Sequence, residues 1–123
     1  MLGNDPIVAF VATTDGARAR RFYEQVLGLR LISDEPWALV FDAAGTTFRI
    51  QKVDSFEPHP FTALGWQVPD IDATVKELAR REVRFERFGG MEQDDTGIWR
   101  SPTGARVAWF KDPDGNILAI VGG

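Results

Sequence analysis

The sequence predicts an α+β fold made of two tandem β-α-β-β-β modules. Three observations lead to this fold class: a helix-opening aspartate that occurs twice, apolar runs of strand length around each predicted helix, and turn residues between those runs. Asp15 and Asp70 occupy matching points in the two halves and lie 55 residues apart. A period of this length is typical of a repeated supersecondary unit.

The first module opens with an apolar run over Ile7–Ala12, which has the length of a strand. Thr13–Asp15 then supplies side-chain oxygens that can cap the N-terminus of a helix. Apolar residues follow at helical spacing over Ala17–Leu27, and Gly28 provides the C-terminal stop. With a turn over residues 42–45, three further strands are predicted at Arg30–Ile32, Trp37–Phe41 and Thr46–Val53.

The second module repeats this order. A strand over Ala63–Val68 leads to a helix that opens at Asp70 and carries an apolar stripe. The strands predicted after this helix are Arg84–Phe88, Ile98–Ser101, Ala105–Phe110 and Ile117–Val121. The predicted organisation is therefore one domain over residues 1–123, with a first module at 6–53, a linker at 54–61 and a second module at 62–121.

The composition narrows the class of protein. A net charge of −4 argues against nucleic-acid binding, because phosphate contacts need a concentrated basic face. No apolar run approaches the roughly 20 residues that cross a bilayer, so neither a membrane nor a nucleic-acid partner is expected. The absence of cysteine rules out disulfides and thiolate chemistry. It fits a reducing compartment, and we expect a cytoplasmic protein without a secretion signal.

Two sequence patterns carry a resemblance to a known family. Asp15 is followed by Phe22–Tyr23 and Val26–Gly28, and Asp112–Asn116 precedes the apolar run Ile117–Ile120. Together they resemble the vicinal oxygen chelate superfamily, which includes glyoxalase I, extradiol dioxygenases and bleomycin-resistance proteins. The resemblance covers nearly the whole chain. It implies that the two modules form a curved mixed sheet around a central cavity, with the helices on the outer face.

The same resemblance implies where a metal would be held. Most members bind a divalent ion with His and Glu side chains, at positions that map to Val8, Gln51, Ala63 and Ala119. Valine and alanine carry no donor atom, and one neutral glutamine cannot hold a divalent ion alone. We therefore expect no metal or other cofactor, and a protein that is not an enzyme of the conventional type.

Strand alternation indicates which side chains could line the cavity. Residues that lie an even number of positions from the four expected metal positions on the same strand should face inward with them. In the third strand, the same alternation places Trp37, Leu39 and Phe41 on one face. Such a wall would suit a flat, partly apolar molecule. Alternatively, the aromatic side chains fill the interior as core. The predicted ligand-binding residues are Phe10, Trp37, Phe41, Arg49, Gln51, Gln67 and Trp109.

The resemblance favours a metal-independent protein that binds a drug-like molecule or aromatic metabolite as a homodimer, like bleomycin-resistance proteins. The net negative charge favours a cationic or aromatic guest. One alternative is a glyoxalase-like lyase, isomerase or dioxygenase with displaced ligands drawn from Gln51, His59, Glu92 and Asp94. A second alternative is a non-catalytic accessory module. His59, between two prolines of the linker, is more simply an exposed linker residue than a general base.

Overall fold

The computed structural model describes residues 1–122, which divide into two compact units between Glu57 and Pro58. Each unit contains one helix and one four-stranded mixed sheet. This arrangement confirms the predicted pair of β-α-β-β-β modules. Among the described residues, no helix is long and apolar enough to span a membrane.

The first unit contains a short 3₁₀ turn at Leu2–Asn4, followed by the first sheet and its helix. The helix α1 (Gly16–Arg20) continues as a π-helical segment, Arg21–Val26. The sheet has the order β1-β4-β3-β2, with β1 parallel to β4 and the other neighbours antiparallel. Its strands are β1 (Val8–Thr13), β2 (Arg30–Asp34), β3 (Ala38–Ala43) and β4 (Thr46–Lys52).

The second unit repeats this topology around α2 (Ile71–Arg80). Its sheet has the order β5-β8-β7-β6, again with one parallel pair, β5 and β8. The strands are β5 (Thr62–Gln67), β6 (Trp99–Arg100), β7 (Arg106–Lys111) and β8 (Ile117–Gly122).

Both helices begin in the same way. The carboxylate of Asp15 accepts a hydrogen bond from the backbone N–H of Arg18 at 3.1 Å, and that of Asp70 accepts one from Ala73 at 3.1 Å. Each aspartate has extended backbone angles, as an N-cap residue requires. The two aspartates 55 residues apart therefore open equivalent helices.

The core of the first unit lies between its helix and one face of its sheet. Tyr23 is fully buried, and its ring lies 5.3 Å from that of Phe48 and 6.1 Å from that of Phe41. Leu39 and Ile50 are equally buried on the same strands. Because side chains alternate along a strand, the residues between them emerge on the opposite face, which we call the open face.

The strand predicted at Arg84–Phe88 is wrong. The backbone of residues 84–88 meets β7 in one bridge, Phe85 with Phe110, and in a hydrogen bond from the Glu86 N–H to the Trp109 carbonyl at 2.7 Å. The outer edge of β7 is thus shared, with β6 pairing at one end and this segment at the other.

Side-chain hydrogen bonds hold the segment between α2 and β6. The Gln93 amide donates to the carbonyls of Glu86 and Gly97 at 2.9 and 2.8 Å and accepts from the Phe88 N–H at 2.9 Å. A side chain therefore supplies contacts that a regular strand would make through its backbone.

Candidate functional site

The open face of the first sheet carries a pocket of about 430 Å³, which we call the first-sheet pocket. All of its lining residues belong to the first unit. They come from β1, β2, β3, β4 and the turn between β2 and β3: Phe10, Ser33, Glu35, Trp37, Ala38, Val40, Arg49 and Gln51.

The strand registers order these side chains into two rows across the sheet. In the first row, Arg49 on β4 lies between Phe10 on β1 and Val40 on β3, and Ser33 on β2 pairs with Val40. In the second row, Gln51 pairs with Ala38. The pocket therefore has an apolar floor crossed by two long polar side chains.

Two aromatic side chains of the pocket lining, one on β1 and one in the turn before β3, are exposed to solvent. Phe10 is 52% exposed and Trp37 is 69% exposed. The Trp37 backbone is fixed, because its carbonyl accepts a hydrogen bond from the Lys52 N–H at 2.9 Å. Large exposed aromatic groups beside a concave surface are typical of binding sites, since their burial by a partner is favourable.

Phe41 is a correction to the sequence prediction. Its side chain is fully buried against Tyr23 and Phe48, on the helix face of the sheet. The prediction counted alternation from Trp37, but Trp37 lies outside β3, in a two-residue turn closed by Glu35 and Ala38. The strand residues with pocket-facing parity are Ala38 and Val40.

Gln67 and Trp109 belong to the second unit. Gln67 is exposed on β5. The Trp109 indole N–H donates to the Thr62 hydroxyl at 3.0 Å, and its ring lies 5.4 Å from Phe88 and 6.0 Å from Trp99. Trp109 is therefore engaged by its own unit, and the register of Trp99 with Val107 places Trp99 on the same face.

Of the seven predicted binding residues, the first-sheet pocket brings together four: Phe10, Trp37, Arg49 and Gln51. Sequence reasoning missed Ala38 and Val40, because it counted alternation from Trp37. It also missed Ser33 and Glu35, because the pairing of β2 with β3 shifts between Leu31 and Ser33. The signal that could have found them is Pro36, which marks a turn and brings the preceding residues beside Trp37.

The strand registers also revise the position of one expected metal ligand. Phe10 pairs with Arg49, and Gly65, which lies 55 residues after Phe10, pairs with Ala119. The position equivalent to Ala119 in the first unit is therefore Arg49 rather than Gln51. The set implied by the family is then Val8, Arg49, Ala63 and Ala119. Three apolar side chains and a guanidinium do not fit a divalent cation, since none provides a donor lone pair.

The structure describes the surroundings of the displaced donors that the enzyme alternative requires. His59 is exposed and stacks on Phe61 with ring centroids 4.9 Å apart, and Glu92 is also exposed. Asp94 is occupied, because its carboxylate accepts from the Thr96 hydroxyl at 2.7 Å and from the N–H groups of Thr96 and Ile98. Within residues 1–122, no three His, Asp or Glu side chains are grouped to hold a metal.

Asp94 also has a perturbed pKa. Burial disfavours its ionised form, but hydrogen bonds from Thr96, Ile98 and Gly97 outweigh that effect and lower the pKa of Asp94. In the first unit the side-chain hydrogen bond from Lys52 lowers the pKa of Asp34, with help from Arg20 and against slight desolvation. Both carboxylates stabilise loops or strand ends rather than line the pocket.

Comparison with known proteins identifies the family of this chain. A family model for the Glyoxalase/Bleomycin resistance protein/Dioxygenase superfamily matches residues 5–120. No curated protein matches the sequence.

Several solved structures share the fold. Lactoylglutathione lyase from Agrobacterium tumefaciens is 18% identical over 98% of this chain and 96% of its own, with a TM-score of 0.76. A member of the same superfamily from Sphaerobacter thermophilus DSM 20745 is 25% identical over 100% of both chains, with a TM-score of 0.77. The fosfomycin resistance protein FosX from Listeria monocytogenes is 15% identical over 95% and 91%, with a TM-score of 0.74.

Proposed function

This chain belongs to the Glyoxalase/Bleomycin resistance protein/Dioxygenase superfamily, and from that premise we propose that it binds a small organic molecule without a metal and without transforming it. The guest is drug-like or an aromatic metabolite, and its binding site is the first-sheet pocket. The closest functional analogy is the bleomycin-resistance branch of the family.

The observation that carries this proposal is that exposed aromatic side chains line the same pocket as polar side chains whose hydrogen-bonding groups have no protein partner within the described residues. Phe10 and Trp37 offer apolar area that water solvates poorly. Arg49 and Gln51 extend from the same floor, and within residues 1–122 their side chains make no hydrogen bond or ion pair. Apolar walls with a few available polar groups are the usual composition of a ligand site.

The donor set supports the metal-independent form of the proposal. At the positions that the family uses for ligands, this chain has Val8, Ala63, Ala119 and the cationic Arg49. The names of the structural neighbours support small molecules as guests in general terms, since one is a lactoylglutathione lyase and another a fosfomycin resistance protein.

The proposal includes a homodimer in the cytoplasm. Its support is the family resemblance, which implies pairing of two chains. Light scattering of the purified protein checks the assembly, and a mass of one chain at all concentrations would contradict this part of the proposal.

Intrinsic tryptophan fluorescence tests the binding site. The titration uses aromatic amines, aromatic carboxylates and neutral aromatic amides, each with and without a chelator. We expect a saturable emission change for at least one class that ignores the chelator. It should vanish in Trp37→Phe and persist in the control Trp109→Phe, because Trp37 is among the residues that line the pocket and Trp109 is not.

Two results would contradict the proposal and would point to different alternatives. A response that needs an added divalent metal would favour an enzyme with displaced ligands. A flat response across the panel, together with a melting temperature that none of these compounds raises, would favour an accessory module, because any molecule that binds the folded state raises that temperature.

A further inference from the structure

We infer that the guest of the first-sheet pocket carries a carboxylate, which Arg49 binds, beside an aromatic body that lies against Phe10 and Trp37. This inference rests on the proposed function, because it names the chemical class that the pocket takes. It replaces the cationic guest that the net charge of the whole chain favours.

The first observation is that Arg49 lacks a partner within the described residues, whereas other cations of the first unit, such as Lys52 on the same strand, have one. Arg20 pairs with Glu24 and Asp34, and Lys52 with Asp34 at 2.5 Å. Within residues 1–122, the guanidinium of Arg49 makes no hydrogen bond or ion pair. Its five N–H donors are therefore available to a guest.

The second observation is the position of Arg49 in the sheet. β4 is an interior strand, and the register places Phe10 on one side of Arg49 and Val40 on the other. Apolar neighbours restrict the water around the charge once a guest covers it, which strengthens a charge-assisted hydrogen bond. A planar carboxylate fits the guanidinium fork in a bidentate manner.

The third observation concerns the other charged group of the pocket. Glu35 lines the same pocket, but it lies in the turn between β2 and β3, where its backbone bonds to that of Ala38 in both directions. The negative group is therefore at the hairpin end and the positive group is on the floor. A guest seated on the floor meets Arg49, and Glu35 lies beyond the floor at the end of the hairpin.

A neutral polar side chain, Gln51, can contribute further hydrogen bonds to the same guest. Gln51 follows Arg49 by two residues on the same face, and the two side chains emerge about 7 Å apart. The Gln51 amide can donate to the second oxygen of a carboxylate or accept from a polar substituent of the guest.

Three probes of the same shape and different charge test the inference: 2-naphthoate, 2-naphthamide and 2-naphthylmethylammonium. Binding to the full chain is followed through the indole N–H signal of Trp37 by NMR. We expect naphthoate to bind about tenfold or more tightly than the amide, and more tightly still than the ammonium probe. Added salt should weaken naphthoate selectively, because the ion pair is partly screened.

Variants assign the preference to Arg49. Arg49→Gln should reduce the ratio of naphthoate to amide affinity to about one, since only the charge-assisted bonds are lost. The matched control Arg21→Gln makes the same change of net charge on the helix and should leave the ratio unchanged. Glu35→Gln should tighten naphthoate binding, because it removes a like charge from the pocket lining.

The contrary results separate this inference from the proposed function. Equal affinity of naphthoate and amide in the unaltered protein, or a preference that survives Arg49→Gln, would overturn the carboxylate while leaving a binding pocket. Loss of binding in Glu35→Gln together with preference for the ammonium probe would reverse the charge of the guest. No shift of the Trp37 signal with any probe would overturn both statements.

Discussion

The open face of the first sheet and the equivalent face of the second sheet share strand order but differ in which side chains cover them. In the first unit, Phe10 and Trp37 remain exposed beside an unpaired Arg49. In the second unit, the indole of Trp109 bonds to Thr62 and contacts Phe88 and Trp99.

The difference arises from a few substitutions at equivalent positions. The repeat places Phe10 opposite Arg49 in one sheet and Gly65 opposite Ala119 in the other. Small residues in the second sheet leave room for the side chains of its own unit, whereas long residues in the first sheet project outward. A duplicated fold can thus keep its topology while its two open faces diverge, because the topology depends on caps, turns and core rather than on the open face.

Substitutions on the two faces of the first sheet should differ most in their effect on the free energy of unfolding. We expect Phe41→Ala to lower the free energy of unfolding by about 3–5 kcal/mol, because a fully buried ring leaves a cavity in the core. Trp37→Ala, on the open face, should change it by about 0.5 kcal/mol or less. Urea denaturation measures both, and similar losses for the two variants would contradict the placement of Phe41.

The hairpins before the last strand of each unit provide the next comparison. The Asp112 carboxylate is buried and accepts from the N–H groups of Asp114 and Asn116 and from the Asn116 amide, at 2.8–2.9 Å. We expect Asp112→Ala to destabilise the protein by about 1–3 kcal/mol, because these buried donors lose their acceptor.

The control lies at the matching hairpin of the first unit. Ala44 has a positive φ of 51° without a comparable side-chain network. Ala44→Gly should be neutral or stabilising, since glycine adopts this conformation more readily. A neutral Asp112→Ala in the same urea series would refute the structural role of the carboxylate.

The contact between Thr62 and Trp109 on the second sheet should contribute less to the free energy of unfolding. A double-mutant cycle with Thr62→Val and Trp109→Phe isolates the hydrogen bond between their side chains at 3.0 Å. We expect a coupling of about 0.5–1.5 kcal/mol, which is the usual net value of a neutral hydrogen bond. Additive effects of the two substitutions would show that aromatic contacts alone hold Trp109.

The smallest effects concern the carboxyl groups of Asp34 and Asp94. Because the pKa of Asp34 and that of Asp94 are lowered in the folded state, each group contributes stability above its ordinary pKa of 3.8, which is lost as the pH falls through the folded value. Added salt should raise the pKa of Asp34, which pairs with Lys52, and leave that of Asp94 nearly constant, because hydroxyl and amide donors carry no charge to screen.

Carbon-13 NMR titration of the side-chain carboxyl groups measures both values. Lys52→Met should move the pKa of Asp34 toward its ordinary value and leave Asp94 unaffected. Equal salt dependence of the two carboxyl groups would contradict the different causes assigned to them.

The fold was largely predictable because its determinants are local. The caps at Asp15 and Asp70 and the turn residues act within a few positions of the chain, so sequence spacing reports them directly. The faces of the strands depend instead on register, and a shift of one residue exchanges the two faces. Counting from Trp37, one position before β3 begins, therefore placed Phe41 on the wrong side.

The pocket was only partly predictable for a related reason. Arg49 and Gln51 lie in a regular strand, where alternation holds, so their face could be inferred. Ser33 and Glu35 follow an irregularity in pairing that depends on contacts with β3, which the sequence of β2 alone does not encode. The strand expected at Arg84–Phe88 failed similarly, because its partner edge on β7 is shared with β6.

Gln93 has a consequence for the behaviour of this protein at high concentration. Its amide ties the backbone of Glu86, Phe88 and Gly97 into a segment that covers part of the outer edge of β7. An uncovered edge of a sheet offers unpaired N–H and carbonyl groups to strands of other molecules, which is a common origin of aggregation. One side chain in an irregular loop therefore helps to keep separate molecules from joining their sheets.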